Sequence, residues 1–196
     1  MKIYGERLSR AERVLWAADE CGLEYDHIPV PVSGEKGQAL LAINPDGAIP
    51  TIDDEGFVLT QSWAINLYLA GKYGGDLAGK TPQEEAVIVR WSFWAACDVE
   101  STIINLIHAS GIIPGDTADP KLEKKCVAAL QRPFAALNLA LENRNYIVGE
   151  RFTIGDLNAV SIVSWLALTR FDFGSFPNIK AWIRRCSKRP MFPRRG

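Results

Sequence analysis

Lys2-Ile3-Tyr4 is a short β-branched and aromatic run, and from Arg10 to Cys21 the apolar positions Val14, Leu15, Ala18 and Cys21 recur at helical spacing. A strand followed by a helix is predicted. Glu24 to Val32 alternates in polarity and closes at Pro31, which predicts a second strand lying parallel to the first across the helical crossover. Lys36 to Ile43 reads as a short helix ended by the turn Asn44-Pro45-Asp46-Gly47. Next come Pro50-Thr51-Ile52 and Phe57-Val58-Leu59 on either side of Asp53-Asp54-Glu55-Gly56, a hairpin pattern with glycine at the turn. Ile65, Leu67, Tyr68 and Leu69 mark a helix from Gln61 to Tyr73, stopped by Gly74-Gly75. Residues 1–75 therefore read β-α-β-α-β-β-α.

Beyond residue 80 the strand pattern disappears. Thr81-Pro82-Gln83-Glu84 is a capping box with proline at the first helical position, opening a helix expected to reach about Ile113, where Pro114-Gly115 stops it. Asp119-Pro120 opens another to about Leu141, which Pro133 should kink or divide. Thr153-Ile154-Gly155-Asp156 starts an apolar helix to about Thr169, and Pro177 begins a last one to Arg189. The expected architecture is a small α/β domain over 1–75 and an all-helical domain over 81–196, with no internal repeat.

Composition narrows the function classes. The 196 residues are 47% hydrophobic and 23% charged, with no apolar run long enough for a membrane span, so a soluble protein with a sizeable core is expected. Net charge is −1, which argues against general affinity for nucleic acid or anionic lipid. The one basic cluster, Arg184 to Arg195, reads either as a solvated terminal helix or as an anion patch. Cys21, Cys97, Cys126 and Cys186 are far apart with only two histidines in the chain, so neither a metal site nor a disulfide framework is signalled. MKIYGERLSRAERV lacks a secretory h-region, and a reducing cytoplasmic location is expected.

A proline just before the third strand of such a βαβαββα unit resembles a thioredoxin-like domain, in which that proline is cis. The resemblance becomes more specific along the whole chain, which resembles the cytosolic glutathione transferases of serine type, bacterial or theta-like. It rests on KIYG, on Ser9 ahead of Arg13-Val14, on NPDGAIPT, and on Gln61-Ser62-Trp63-Ala64-Ile65 where the family usually has Glu-Ser-x-Ala-Ile. In the second half it rests on YIVGERFTIGDL (146–157) and FPNIKAWIRRCSKRPMF (176–192).

The resemblance implies an enzyme that conjugates glutathione, or reduces with it, acting on a small hydrophobic electrophile or a peroxide. It further implies glutathione as co-substrate, no metal, and a homodimer. It implies that Ile49, ahead of cis-Pro50, pairs its main chain with the cysteinyl part of glutathione. By the same resemblance Gln61 and Ser62 would hold the γ-glutamyl carboxylate at a helix N-terminus, and Lys36 or Gln38 would meet the glycyl carboxylate. Gln61 cannot pair with the ammonium as the family's Glu does, which leaves Asp98 of a partner subunit as a candidate. Ser9 is the implied catalytic hydroxyl, donating to the thiolate. Trp91, Trp94, Ile104 and the Glu6-Arg7-Leu8 loop would line the electrophile's site.

Each of these residues also has a structural reading. Ser9-x-x-Glu12 is itself a capping box, Thr60 or Ser62 could simply cap the third helix, and the tryptophans could be core. Tyr4 and Cys21 read as core. The competing function is a non-catalytic binding or scaffold module on the same fold.

Overall fold

The computed structural model describes residues 1–193, which form two compact units: Met1–Ala78 with the tail from Pro190, and Gly79–Arg189. Among the described residues the first unit carries a four-stranded sheet in the order β2-β1-β3-β4. Its strands are β1 (Lys2–Tyr4), β2 (Asp26–Ile28), β3 (Thr51–Asp54) and β4 (Phe57–Thr60). β1 and β2 are parallel, joined by α1 (Ala11–Glu20), while β3 runs antiparallel to both β1 and β4. The predicted order holds, with β2 shorter than the alternating run suggested and α2 confined to Gln38–Leu41. Glu55-Gly56 make the hairpin turn, and the Gly56 N–H donates to Asp53 Oδ1 at 2.8 Å.

Register fixes where the ends of these strands lie. Tyr4 pairs with Ile28 on one side and Thr51 on the other, and Thr51 pairs with Thr60. That rung is the last of the sheet, so Gly5, Pro50 and Gln61 all follow from its one end. Ile3 and Ile52, fully buried, anchor the middle of the sheet against α1 and α3 (Ser62–Tyr73). The far end of α3 is fastened by Asp54, which is 4% exposed and accepts Tyr68 Oη at 2.6 Å, Tyr73 Oη at 2.8 Å and Lys72 Nζ at 2.8 Å. Burial pushes the Asp54 carboxyl up, but the hydrogen bonds from Lys72, Tyr68 and Tyr73 outweigh it and hold the group below its ordinary value.

The second unit is helical, with only isolated bridges at Tyr146–Gly149 and Val148–Arg151 outside its helices among the described residues. α4 (Pro82–Phe93) passes through a π-helical segment, Trp94–Val99, into α5 (Glu100–Ala109). The helix stops four residues short of the expected Ile113. Gly111 takes φ +68 and donates its N–H back to the His108 carbonyl at 3.0 Å, a left-handed closure that leaves Ile112 and Ile113 exposed. Their apolar character had read as a continuing helix.

α6 (Pro120–Ala140) is not divided at Pro133. Cys126, Leu130, Phe134 and Leu137 bury one continuous face on both sides of the proline, and Phe134 meets Phe171 and Phe176 at ring distances of 5.4 and 5.6 Å. Packing of that face outweighs the single hydrogen bond proline removes. α7 (Ile154–Val163) ends earlier than expected and tightens into a 3₁₀ turn, Ser164–Leu168. Its capping box is realised: Asp156, fully buried, accepts the Thr153 N–H, the Ile147 N–H and Trp182 Nε1 at 2.8–2.9 Å. α8 (Pro177–Cys186) buries Ile179, Trp182 and Cys186 and stops before Arg189. Within the basic cluster Arg185 donates to the Asn145 carbonyl and Arg189 stacks on Phe152, whereas Arg194 and Arg195 lie outside the described residues. Among the described residues no helix is long and apolar enough to cross a membrane.

Candidate functional site

The end of the sheet concentrates the sequence-predicted residues of the first unit. At Gly5, with φ +141, an added Cβ would lie 2.6 Å from Ala11 Cβ, 3.4 Å from Ile49 Cβ and 3.7 Å from Pro50 Cα. Only glycine lets the exit of β1, the entry of α1 and the loop before β3 meet this closely. The Ile49–Pro50 bond is cis, as the sequence pattern suggested. Asn44 and Thr51 hold that loop from inside: Asn44 Nδ2 donates to the Ala48 carbonyl and to Thr51 Oγ1, both at 3.1 Å, and Thr51 Oγ1 donates to the Ala48 carbonyl at 2.7 Å. Ile49's side chain packs against Tyr4, Val30 and Leu40. Among the described residues its N–H and C=O have no partner, so its main chain can take an extended ligand alongside.

One residue beyond the same rung, Gln61 is exposed and held at φ +70, ψ +105, a conformation rare for a residue with a side chain. No side chain caps α3. Ser62 is 2% exposed and its Oγ finds no partner, so the hydroxyl is not serving as a cap. A buried hydroxyl without a partner, at the start of a twelve-residue helix whose first N–H groups are free, suits a carboxylate. Next to it Arg13 of α1 stacks on Trp63 with Cζ 3.9 Å from the ring centroid, and Asn66 Nδ2 donates to the Arg13 carbonyl at 3.3 Å. These contacts tie the first turn of α3 to α1.

Ser9 is nearly buried in the β1–α1 loop. Its hydroxyl donates to the Glu6 carbonyl at 2.7 Å and accepts the Ala11 N–H at 3.0 Å. Its one proton is committed within the loop, while its oxygen is pinned at the mouth of α1. Tyr4 lies in the sheet core, 4% exposed. Cys21, expected in the core, lies at the C-cap of α1, half-buried, with Sγ directed at the Leu69 carbonyl. Burial and the adjacent Glu20 push its thiol up to about 11, so it stays protonated and is a poor nucleophile at neutral pH.

Lys36 covers Gly47 with its stem and donates Nζ to the Val32 carbonyl at 2.8 Å and to the Pro31 carbonyl. Glu6 was read only as part of a lining loop. In the structure its Oε1 accepts the Val32 N–H at 2.7 Å, a contact between residues too far apart in sequence for any local motif to reveal. Asn44, a turn residue by sequence, also braces the loop, and a polar residue facing Thr51 across PDGAIP is the signal for that second role. In the second unit Trp91 and Trp94 are core, 5.3 Å apart edge to face, with Ile104 half-buried and Asp98 exposed. Leu8, in the first unit, is 81% exposed.

Comparison with known proteins matches both halves of the chain. The family model for the glutathione S-transferase N-terminal domain matches residues 9–72, and that for the C-terminal domain matches residues 97–190. Glutathione S-transferase F13 of Arabidopsis thaliana is 28% identical over 203 aligned residues, covering 98% of this chain and 93% of the relative. The theta-class glutathione S-transferase of Xanthomonas axonopodis pv. citri with glutathione bound superposes with a TM-score of 0.85 at 29% identity, covering 97% of this chain and 93% of that one. Glutathione S-transferase I from mais, in complex with an atrazine glutathione conjugate, gives a TM-score of 0.87 at 26% identity with the same coverage of each chain.

Proposed function

The chain belongs to the cytosolic glutathione S-transferase family and is a glutathione transferase, and we propose how its own residues bind glutathione and activate the thiol. The Ile49 main chain pairs with the cysteinyl portion. Ser62 Oγ and the first N–H groups of α3 take the γ-glutamyl carboxylate, with the Gln61 amide beside them. Lys36 turns one Nζ hydrogen to the glycyl carboxylate. The observation that carries this reading is Ser62: a buried hydroxyl with no partner, one residue after a backbone held at positive φ.

Ser9 supplies the thiolate-stabilising hydrogen bond. Because Ser9 Oγ is fixed by the Ala11 N–H, its proton changes partner from the Glu6 carbonyl to sulfur by rotation about Cβ–Oγ alone. A hydrogen bond between neutral groups contributes about 0.5–1.5 kcal/mol net and one to a charged group about 1.5–3, so the exchange favours the thiolate. The thiol proton leaves to solvent. The sulfur lone pair then forms the S–C bond to a small hydrophobic electrophile while the leaving group departs with its electron pair, or the thiolate adds to one end of an activated double bond, whose π pair moves to the other end and takes a proton from solvent. The enzyme works as a homodimer in the cytoplasm.

Calorimetric titration with glutathione tests the carboxylate site. Ser62→Ala is expected to weaken binding roughly 10- to 100-fold, the value of a hydrogen bond to a charged group. An unchanged Kd removes Ser62 from the site.

A further inference from the structure

Glu6 holds two loops at once. Its main-chain carbonyl takes the Ser9 hydroxyl at 2.7 Å, and its carboxylate takes the Val32 N–H, 26 residues further along, also at 2.7 Å. The Val32 carbonyl is gripped in turn by Lys36 Nζ at 2.8 Å. A continuous series of single contacts thus runs from the Ser9 hydroxyl through Glu6 and Val32 to the Lys36 ammonium.

The tie is not part of the core. Val32 is 58% exposed and Glu6 is partly exposed, so water competes for both groups and the contact adds little to stability. Nor does a carboxylate at this place help chemistry by its charge, since a negative group close to the reacting sulfur opposes thiolate formation. What the tie does is fix the loop that carries the hydroxyl against the loop that carries the ammonium.

We propose that Glu6 is a positioning residue, one that couples the Ser9 hydroxyl to the Lys36 loop so that a carboxylate arriving at Lys36 is felt at Ser9. The inference rests on the proposed roles of Ser9 and Lys36. It separates positioning from charge by sign. Removing a charge that merely repels would lower the bound-thiol pKa, whereas losing a positioning tie raises it.

The test is the pH profile of kcat/KM and a direct titration of the bound thiol for wild type, Glu6→Ala, Glu6→Gln and Ser9→Ala, with glutathione and with its glycinamide analogue, in which the glycyl carboxylate is an uncharged amide. Glu6→Ala is expected to raise the bound-thiol pKa and lower kcat at neutral pH roughly 3- to 10-fold, the value of one hydrogen bond, with KM for glutathione within about twofold. Glu6→Gln keeps an acceptor for the Val32 N–H without the charge and is expected to hold the bound-thiol pKa at or below the wild-type value. In wild type the bound-thiol pKa is expected to be lower for glutathione than for its glycinamide analogue, and in Glu6→Ala that difference shrinks. If Glu6→Ala does not fold, Val32→Pro removes the N–H that Glu6 accepts and should reproduce the shift. A bound-thiol pKa that falls in Glu6→Ala, or a Gln variant as impaired as the Ala variant, overturns the inference while leaving Ser9 in place. No response to Ser9→Ala overturns the role of Ser9 and this coupling with it.

Discussion

Replacing Ser9 by alanine removes two things that can be measured separately. One is the acceptor for the Ala11 N–H at the start of α1, the other is the proton now held by the Glu6 carbonyl. The first belongs to folding: losing a serine that accepts a helix-start N–H costs about 1 kcal/mol, which lowers Tm by a few degrees in a chain of this size. The second belongs to the thiol. Taking about 1.5–3 kcal/mol for the bond to sulfur and subtracting about 0.5–1.5 for the bond given up at Glu6 leaves roughly 1–1.5 kcal/mol. At 1.36 kcal/mol per unit, Ser9 in its proposed role would lower the bound-thiol pKa by about one unit from its free value near 8.5. Below the pKa, kcat should then fall roughly tenfold in Ser9→Ala, and the inflection of the pH–rate profile should move up by about one unit, with KM for glutathione little changed. Ser9→Thr, which keeps the hydroxyl, should retain most of the activity. The measurements are the ultraviolet titration of the bound thiolate, the pH–rate profile and thermal unfolding on the same preparations. If the inflection stays where it was while Tm falls, Ser9 is a helix cap and nothing more.

The tyrosine and lysine grip on Asp54 predicts a pH effect of definite sign. Because the folded-state pKa is depressed, its stabilisation is present above the ordinary carboxyl value near 4 and is lost as pH falls through the lower folded value. Asp54→Asn should cost about 1.5–3 kcal/mol in urea unfolding at neutral pH and should flatten the acid limb of the stability profile; an unaltered acid limb would assign it to other carboxylates. Gly5→Ala should cost about 3 kcal/mol or more, since its Cβ meets Ala11 Cβ at 2.6 Å on a backbone at φ +141, and a wild-type Tm would show that the β1–α1 junction can spread.

Local chemistry wrote most of the fold into the sequence. The hairpin around Glu55-Gly56, the capped starts at Thr81 and Thr153, and the proline before β3 are short-range signals, and the structure realises each. Termination was harder to read. Ile112 and Ile113 continue an apolar pattern that Gly111 has already ended, and Pro133 fails to divide α6 because Phe134 beside it is buried among aromatic residues distant in sequence. The site divides along the same line. Ile49, Ser62 and Ser9 are candidates brought forward by the resemblance of their short motifs to the family, whereas the contact from Glu6 to Val32 and the competition for the Ser9 proton depend on which loops the fold brings together.

The open main chain of Ile49 determines which experiments can detect it. Alanine scanning removes only side chains, and at Ile49 it would take away a packing contact with Tyr4, Val30 and Leu40 while leaving the N–H and C=O where they are. A mutational map of glutathione affinity would therefore highlight Ser62 and Lys36 and pass over Ile49, however much the peptide group contributes. Exchanging that amide for an ester by chemical synthesis deletes the donor and spares the side chain. On the proposed reading the specificity carried there belongs to the polymer backbone, and the one coded residue that deletes an N–H, proline, changes the side chain and φ along with it.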